Sequence, residues 1–251
     1  MDPFSYQQRR NQVEQYFDRT AFSAWEKLTS DAPVSRIRAT VRAGRNRMRQ
    51  AMLDALGPDL TGCRILDAGC GTGAMALALA QRGADVLAVD LSSQLIQLAR
   101  ERTAGEPRKG HILWVAGDML EASFGRFDHV VAMDSLIHYE AADMARALSQ
   151  LAQRTNLSLH VSFAPRTPAL ATMHWLGRCL PRSDRAPAIV PLAGNRMVKT
   201  LSSLAALRHC RIKLGPRVDS GFYISQLLHI EAQAELSATA FADPPEVMEQ
   251  P

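Results

Sequence analysis

The period of the apolar positions changes along the chain. Before residue 60 apolar side chains recur at helical spacing. Val13, Phe17, Ala21 and Ala24 do so in a first segment, with Tyr16, Phe22 and Trp25 close by. In a second segment Ile37, Val41, Met48, Met52 and Leu56 line one face, and Gly57-Pro58 ends the run. From residue 63 short apolar runs take over, at 63–67, 85–89, 111–115, 127–133 and 157–163, and these read as strands. Helix-period segments separate them: about 73–82, a stretch carrying Leu95, Ile96, Leu98 and Ala99 behind Ser92 as N-cap, and 141 to about 153. Strand and helix in alternation predict a parallel, doubly wound α/β sheet with ligand crevices at the carboxyl ends of its strands.

Residues 164–198 break that rhythm. Pro165, Pro168, Pro181, Pro187 and Pro191 punctuate a stretch with one short apolar helix at about 169–180. An insertion there hangs over the crevice, where a lid or substrate wall belongs. A helix over 200–209 follows, then strands at 211–214 and 222–231 joined by a turn at Gly215-Pro216. The organisation expected is an N-terminal helical extension (1–60), a binding core (61–163), an insertion (164–198), the rest of the core with a closing hairpin (199–231) and a tail (232–251). No internal repeat is visible.

Composition narrows the class. A chain of 251 residues holds one large α/β domain with an extension. Cys63, Cys70, Cys179 and Cys210 form no CxxC pair and no metal-ligand spacing, so reduced thiols and no protein-bound metal are expected. No apolar run approaches the ~20 residues of a membrane span. The opening residues, with Asp2 and Arg9-Arg10, do not read as a signal peptide, and the expectation is a cytoplasmic protein. The net charge is only +4, yet Arg38, Arg42, Arg45 and Arg49 form a basic stripe along the second helix. It is either a solvated face or a contact for an anion. With no RNA-binding motif or base-stacking platform beside it, nucleic acid is not an expected partner.

The chemistry centres on Asp67-Ala68-Gly69-Cys70-Gly71-Thr72-Gly73, a glycine turn between the first strand and its helix. Such turns bring bare backbone close to a ligand. Two acids sharpen the pattern. Asp67 stands just before the glycines, where it would repel a pyrophosphate and suit a ligand with a cationic end. Asp90 closes the second strand about 20 residues past the first glycine, the place of an acid that takes two ribose hydroxyls. Ribose and a cation without phosphate point to S-adenosylmethionine (SAM), held by Asp67, Gly69, Gly71, Gly73, Asp90 and the adjoining Leu91. The fold expected is then a class I, Rossmann-like methyltransferase. It has a seven-stranded, mostly parallel sheet with helices on both faces, and a hairpin closes the sheet in the fold this chain resembles.

Other strand ends supply further candidates. In the fold this chain resembles, Asp118 after the third strand faces the adenine amino group while Met119 packs on the ring. The segment Met133-Asp134-Ser135-Leu136-Ile137-His138-Tyr139 follows the fourth strand and runs past the reacting methyl, with Asp134 on the cofactor side. His138 stands out among the seven histidines because catalytic groups collect directly after strand ends. His111, His129 and His160 lie in or beside strands and read as satisfied polar groups.

Ser135-Leu136-Ile137-His138-Tyr139 together with Leu159-His160-Val161-Ser162-Phe163-Ala164-Pro165 resembles the "LIHY … SFAP" pair of magnesium-protoporphyrin IX O-methyltransferases, enzymes of chlorophyll and bacteriochlorophyll synthesis. Tyr16-Phe17 with Phe22 and Trp25, the glycine motif, and Gly221-Phe222-Tyr223-Ile224-Ser225 extend the similarity over about residues 12–231. The resemblance implies methyl transfer from SAM to one propionate of Mg-protoporphyrin IX, giving the monomethyl ester and S-adenosylhomocysteine. The magnesium belongs to the substrate. It also implies handover from the porphyrin-binding subunit of magnesium chelatase and peripheral contact with the photosynthetic membrane.

Tyr16, Phe17, Trp25 and Tyr139 are candidate porphyrin walls. Arg166 is a candidate propionate contact, with Arg38, Arg42 and Arg185 as others. His138 has three candidate roles: hydrogen-bond donor to the reacting carboxylate, general base, or axial ligand of the porphyrin magnesium. One departure stands out. Many relatives read W-x-x-I-Y-G-D after the N-terminal tryptophan, but here the segment is Trp25-Glu26-Lys27-Leu28-Thr29-Ser30-Asp31, so Thr29 replaces a tyrosine placed near the reacting carboxylate. Two other readings compete: an O-methyltransferase for another small acceptor such as a quinone precursor, and a SAM-binding sensor that does no chemistry.

Overall fold

The computed structural model describes residues 4–16, 36–166 and 189–233. Phe17, Phe22, Trp25, Thr29, the helix expected at 169–180, Arg185 and most of the tail lie outside them.

Two helices, α1 (Phe4–Tyr16) and α2 (Arg36–Leu56), precede β1 (Arg64–Ala68). The alternation then runs α3 (Ala74–Gln81), β2 (Asp85–Asp90), α4 (Ser93–Thr103), β3 (Ile112–Ala116), β4 (Phe127–Ala132), α5 (Ala141–Ala152) and β5 (Thr155–Phe163). After the insertion come α6 (Gly194–Ser202), β6 (Cys210–Ser220) and β7 (Tyr223–Ala232). The strands form one seven-stranded sheet in the order β3-β2-β1-β4-β5-β7-β6. Strands β1 to β5 pair in parallel, while β7 is antiparallel to both β5 and β6. The switch point lies between β1 and β4, so their carboxyl ends flank the crevice.

The sheet buries both faces, which is why its strands read as continuous apolar runs. Neighbouring residues of β1 point opposite ways. Leu66 joins Val130, Leu159, Val161, Leu228 and Ile230 under Met144 and Leu148 of α5 and Leu201 of α6. Ile65 joins Val86, Ala88, Val131 and Leu227 under Met48 and Met52 of α2 and Leu79 of α3. Helix α2 is therefore part of the core. Of its predicted apolar face, Met48 and Met52 are fully buried and Ile37 is exposed, because the first turn of α2 runs beyond the sheet. At the start of α4, Ser92 Oγ accepts from the Leu95 N–H at 3.2 Å, as the spacing predicts.

Two expectations near the C-terminus are corrected. The helix expected at 200–209 occupies Gly194–Ser202 instead, followed by a short 3₁₀ turn at Ala205–Leu207. Met197 and Leu201 bury its apolar face, and Gly194 admits the close approach of Phe163 and Leu214, whose atoms would stand 3.2 Å from a β-carbon there. The hairpin turn lies at Gly221-Phe222, with Gly221 at φ 67°, rather than at Gly215-Pro216. Those two residues sit inside β6 at an irregularity between Leu214 and Arg217. An edge strand tolerates a proline that cannot donate. Gly215 is required because a β-carbon there would lie 2.1 Å from His229 Nε2.

His129 and His160 are satisfied polar groups, as expected. Ser158 Oγ stands 2.8 Å from both His129 Nδ1 and His160 Nε2, and His160 Nδ1 meets His229 Nδ1 at 2.8 Å. Burial, reinforced by His229, pushes His160 down to about 3, so it is neutral at physiological pH. His111 is exposed and faces Asp85 at 3.1 Å.

Helix α5 is fixed chiefly by Met144, Leu148 and Leu151, each at most 1% exposed. Leu148→Ala is expected to destabilise the protein by about 2–5 kcal/mol in urea unfolding, because the close-packed layer cannot collapse into the void.

Candidate functional site

A cavity of about 250 Å³ opens at the carboxyl ends of β1 to β4, with α1 and α2 forming its outer wall. Asp67, Gly69, Gly71, Asp90, Leu91, Asp118, Met119, Asp134, His138 and Tyr139 all line it. Gly73 sits at the turn's end, where a β-carbon would stand 2.5 Å from Trp114.

The turn itself is built from left-handed glycines, with φ 80° at Gly69, 53° at Gly71 and 83° at Gly73. The N–H groups of its first half are already committed. Gly69 N and Cys70 N both donate to Val89 O, at 2.8 and 3.0 Å, and Gly71 N donates to Asp90 Oδ2 at 2.8 Å. A pyrophosphate needs free N–H groups in such a turn. Here β2 supplies their acceptors instead, the Val89 carbonyl and the Asp90 carboxylate. Asp90 is held from two sides, since Ser92 N donates to its Oδ1 at 3.0 Å.

Asp67 is 1% exposed, and its Oδ2 has no hydrogen-bond partner. Burial first, and then the nearby Asp90 charge, push its carboxyl up to about 7, while the Ala76 backbone N–H pulls the other way. A buried acceptor without a donor is costly unless a ligand supplies one. A cation at this place would supply both the donor and the charge.

Asp118 is engaged by the N-terminal helix. Tyr6 Oη donates to its Oδ1 at 3.1 Å, Arg10 Nη1 to its Oδ2 at 3.2 Å, and Leu120 N caps Oδ1 at 2.9 Å. The Tyr6 ring stacks on Tyr139 with centroids 5.1 Å apart and planes at 25°. Burial, and then Asp118, push the Tyr139 phenol up to about 12, and Tyr6 is raised further, so both are neutral donors.

Asp134 gathers four elements to one point. It adopts φ 57°, the single positive φ outside glycine among the described residues. Its carboxylate accepts from Arg45 Nη1 of α2 at 2.5 Å, Tyr223 Oη of β7 at 2.9 Å and Ser162 Oγ of β5 at 3.0 Å. Its backbone N returns a bond to Ser162 Oγ at 2.8 Å. Burial and the Asp134 charge raise the Tyr223 phenol. Next along, Ser135 closes over the glycine turn: its Cβ stands 2.3 Å from where a β-carbon of Gly69 would be.

The basic stripe is not a solvated face throughout. Arg42, Arg45 and Arg49 line the cavity, whereas Arg38 is exposed and outside it. Burial, and then Arg45, lower Arg49 from the usual guanidinium value. Two sequence candidates lie apart from the cavity lining. Tyr16 ends α1 and is half-buried, and Arg166 is exposed, with its backbone N donating to Leu192 O at 2.8 Å. Phe17 and Trp25 lie outside the described residues. Sequence reasoning missed Tyr6 and Arg10, which carry no local signal, and gave no role to Tyr223 and Ser162, although both stand in the quoted motifs.

Among known proteins, a model described as magnesium-protoporphyrin IX methyltransferase C-terminus matches residues 132–232, and a methyltransferase domain model matches 65–156. Magnesium-protoporphyrin O-methyltransferase of Rhodobacter capsulatus is 48% identical over 227 residues, covering 90% of this chain and 98% of the relative. This chain belongs to the magnesium-protoporphyrin O-methyltransferase family. A second member, from Synechocystis sp., is 30% identical over 67% of this chain and 74% of its own length. The crystal structure of magnesium protoporphyrin IX methyltransferase from Synechocystis PCC 6803 with bound SAH superposes with a TM-score of 0.76 at 24% identity, covering 90% of this chain and 100% of that one. That likeness bears out the class I methyltransferase fold read from the sequence. Among the described residues there is no cluster of histidine, cysteine and acidic side chains fit for a metal, and no helix long and apolar enough to cross a membrane.

The raised Asp67 has a thermodynamic consequence. From about pH 4 to about pH 7 the folded protein holds a proton that the unfolded chain has released, so this group makes stability fall as pH rises through that window. Asp67→Asn is therefore expected to gain stability over the wild type in urea titrations at about pH 8, and to gain little at about pH 4. Equal effects at both pH values would refute the assignment.

Proposed function

We propose that this cavity binds SAM and directs its methyl group to one propionate carboxylate of Mg-protoporphyrin IX, giving the monomethyl ester and S-adenosylhomocysteine. The observation that carries the cofactor reading is the partnerless Asp67 oxygen across a glycine turn from Asp90, with the N–H groups of Gly69, Cys70 and Gly71 committed to β2. The acceptor rests on family membership.

The residues suit that reaction. SAM supplies a methyl on a positively charged sulfur. A propionate resembles a glutamate side chain, with a pKa of about 4.3, and is already an anion at pH 7. Attack of the carboxylate oxygen on the methyl carbon breaks the carbon–sulfur bond and cancels both charges, and no proton has to move. Apolar walls favour such a charge-cancelling step, and alignment of the partners can supply about 7–11 kcal/mol. His138, buried on the cavity wall after β4, serves as hydrogen-bond donor that orients the carboxylate. A guanidinium clamped on the reacting oxygen would blunt it, so Arg42 and Arg49 suit the propionate that does not react.

A cavity of about 250 Å³ takes the cofactor but not a whole macrocycle. The porphyrin therefore lies at its mouth, against Tyr139. A flat apolar macrocycle is poorly solvated, which favours direct handover from the porphyrin-binding subunit of magnesium chelatase and peripheral contact with a membrane.

The deciding experiment incubates the protein with SAM and Mg-protoporphyrin IX and follows the monomethyl ester by chromatography, with metal-free protoporphyrin in parallel. Ester favoured by magnesium is expected; no ester despite measurable cofactor binding would refute the acceptor. His138→Ala is expected to lower kcat by about 10–100-fold, the loss of one hydrogen bond to a charged group, without changing the pH profile. A larger loss with a displaced pH limb would make it a general base instead.

Cofactor affinity also depends on pH. Below about pH 7 Asp67 is protonated and cannot pair with an ammonium, so the Kd for SAM is expected to rise by up to about tenfold per pH unit on acidification. Asp67→Asn should abolish that slope in calorimetry.

A further inference from the structure

A second unpartnered polar atom flanks the same glycine. Ser135 Oγ is buried and makes no hydrogen bond, and it lies 3.1 Å from the position of a β-carbon on Gly69. Asp67 Oδ2, the other partnerless oxygen on this wall, sits two residues before Gly69. The two atoms differ in kind. A carboxylate accepts only, whereas a hydroxyl also donates.

We propose that Ser135 is the donor that binds the α-carboxylate of the cofactor's amino-acid head, beside the Asp67 carboxylate that takes its α-ammonium. The inference rests on the SAM reading above and adds to it which group recognises the second charge of the zwitterion. Three observations carry it. The head must lie by Asp67, hence over Gly69, and Ser135 covers Gly69. Three N–H groups of the turn's first half are committed here: Gly69 and Cys70 to Val89 O, Gly71 to Asp90. At these three positions a donor has to come from a side chain. The Arg45 guanidinium is drawn toward Asp134, and the unpartnered Ser135 hydroxyl stands directly over Gly69. Having no partner to give up, that hydroxyl turns toward the carboxylate by rotation about one bond.

The proposal makes two demands that a structural serine would not. A buried hydroxyl without a partner contributes nothing to folding, so Ser135→Ala should leave the Tm of the ligand-free protein unchanged or raise it. The hydroxyl should also distinguish ligands that carry the carboxylate from those that lack it.

The test is calorimetric and needs no turnover. S-Adenosylhomocysteine and its decarboxylated analogue are titrated into the wild type and the Ser135→Ala variant, with Asp67→Asn for comparison. The expected result is an affinity for S-adenosylhomocysteine about 10–100-fold weaker in Ser135→Ala, and a change within about twofold for the decarboxylated analogue. Asp67→Asn should weaken both, because both keep the ammonium. Equal losses for the two ligands in Ser135→Ala, no loss for either, or a lowered Tm in the ligand-free variant would each overturn the assignment. Failure of the wild type to bind S-adenosylhomocysteine at all would instead strike the cofactor reading on which it rests.

Discussion

The site is organised around one buried carboxylate with an oxygen that has no hydrogen-bond partner. Taking an ionised acid out of water is expensive, and a protein that does so either pairs it or leaves it protonated. Asp67 sits between these states with its carboxyl near 7, held there by burial and by Asp90. That halfway condition is what a receptor for a cation looks like before the cation arrives. The neighbouring turn reinforces it: the N–H groups of Gly69, Cys70 and Gly71 are tied to β2, which leaves fewer donors where a dinucleotide-binding protein would grip phosphate. The fold is shared with phosphate binders, and the distribution of free donors and acceptors is what separates them.

Around that point the scaffold is closed by polar contacts between distant parts of the chain. Asp134 ties α2, β5 and β7 to the end of β4, and Asp118 ties α1 to the end of β3. Both acids stand at strand ends that the sheet presents toward the ligand, yet both are neutralised by partners from outside the alternating core. The hairpin at the sheet's edge therefore does more than close it. Through Tyr223 it fixes the backbone from which Ser135 and His138 project, and Gly44 of α2 lies so close to the Tyr223 ring that a β-carbon there would stand 2.5 Å from it.

The parallel core was legible because strands buried on both faces leave continuous apolar runs, and glycine turns leave a spacing. Its strand ends fell within about two residues of those expected. The hairpin was misplaced because Gly215-Pro216 carries the local signature of a turn, while the actual requirement there is room for His229, a contact from another strand. The helix beginning at Gly194 was hidden for a similar reason: prolines and a glycine read as loop, and Phe163 supplied the burial. In the site, Asp67, Asp90 and His138 were legible from position relative to strand ends. Tyr6 and Arg10 were not, since their role arises only when α1 is laid against Asp118, more than 100 residues away, and no spacing within a helix encodes that. The arginine stripe was legible as a stripe, but only packing shows that Arg42, Arg45 and Arg49 turn inward while Arg38 does not.

The chemistry explains why so little of the polar interior takes part in it. Transfer of a methyl cation equivalent to a carboxylate consumes one negative and one positive charge and releases no proton, so a base, a relay and a metal would have nothing to do. The chain of His129, Ser158, His160 and His229 could be mistaken for a proton path because its members are within hydrogen-bond reach of one another. Its middle histidine is held neutral far below physiological pH, which makes it a poor carrier. It runs across the sheet from β4 to β7, and none of its members lines the cavity. The same low polarity that keeps those histidines neutral is what a charge-cancelling reaction needs from its surroundings. Desolvation is thus used twice in this protein: once to lock a sheet together, and once, at Asp67, to raise a carboxyl whose Oδ2 faces the cavity wall without a donor.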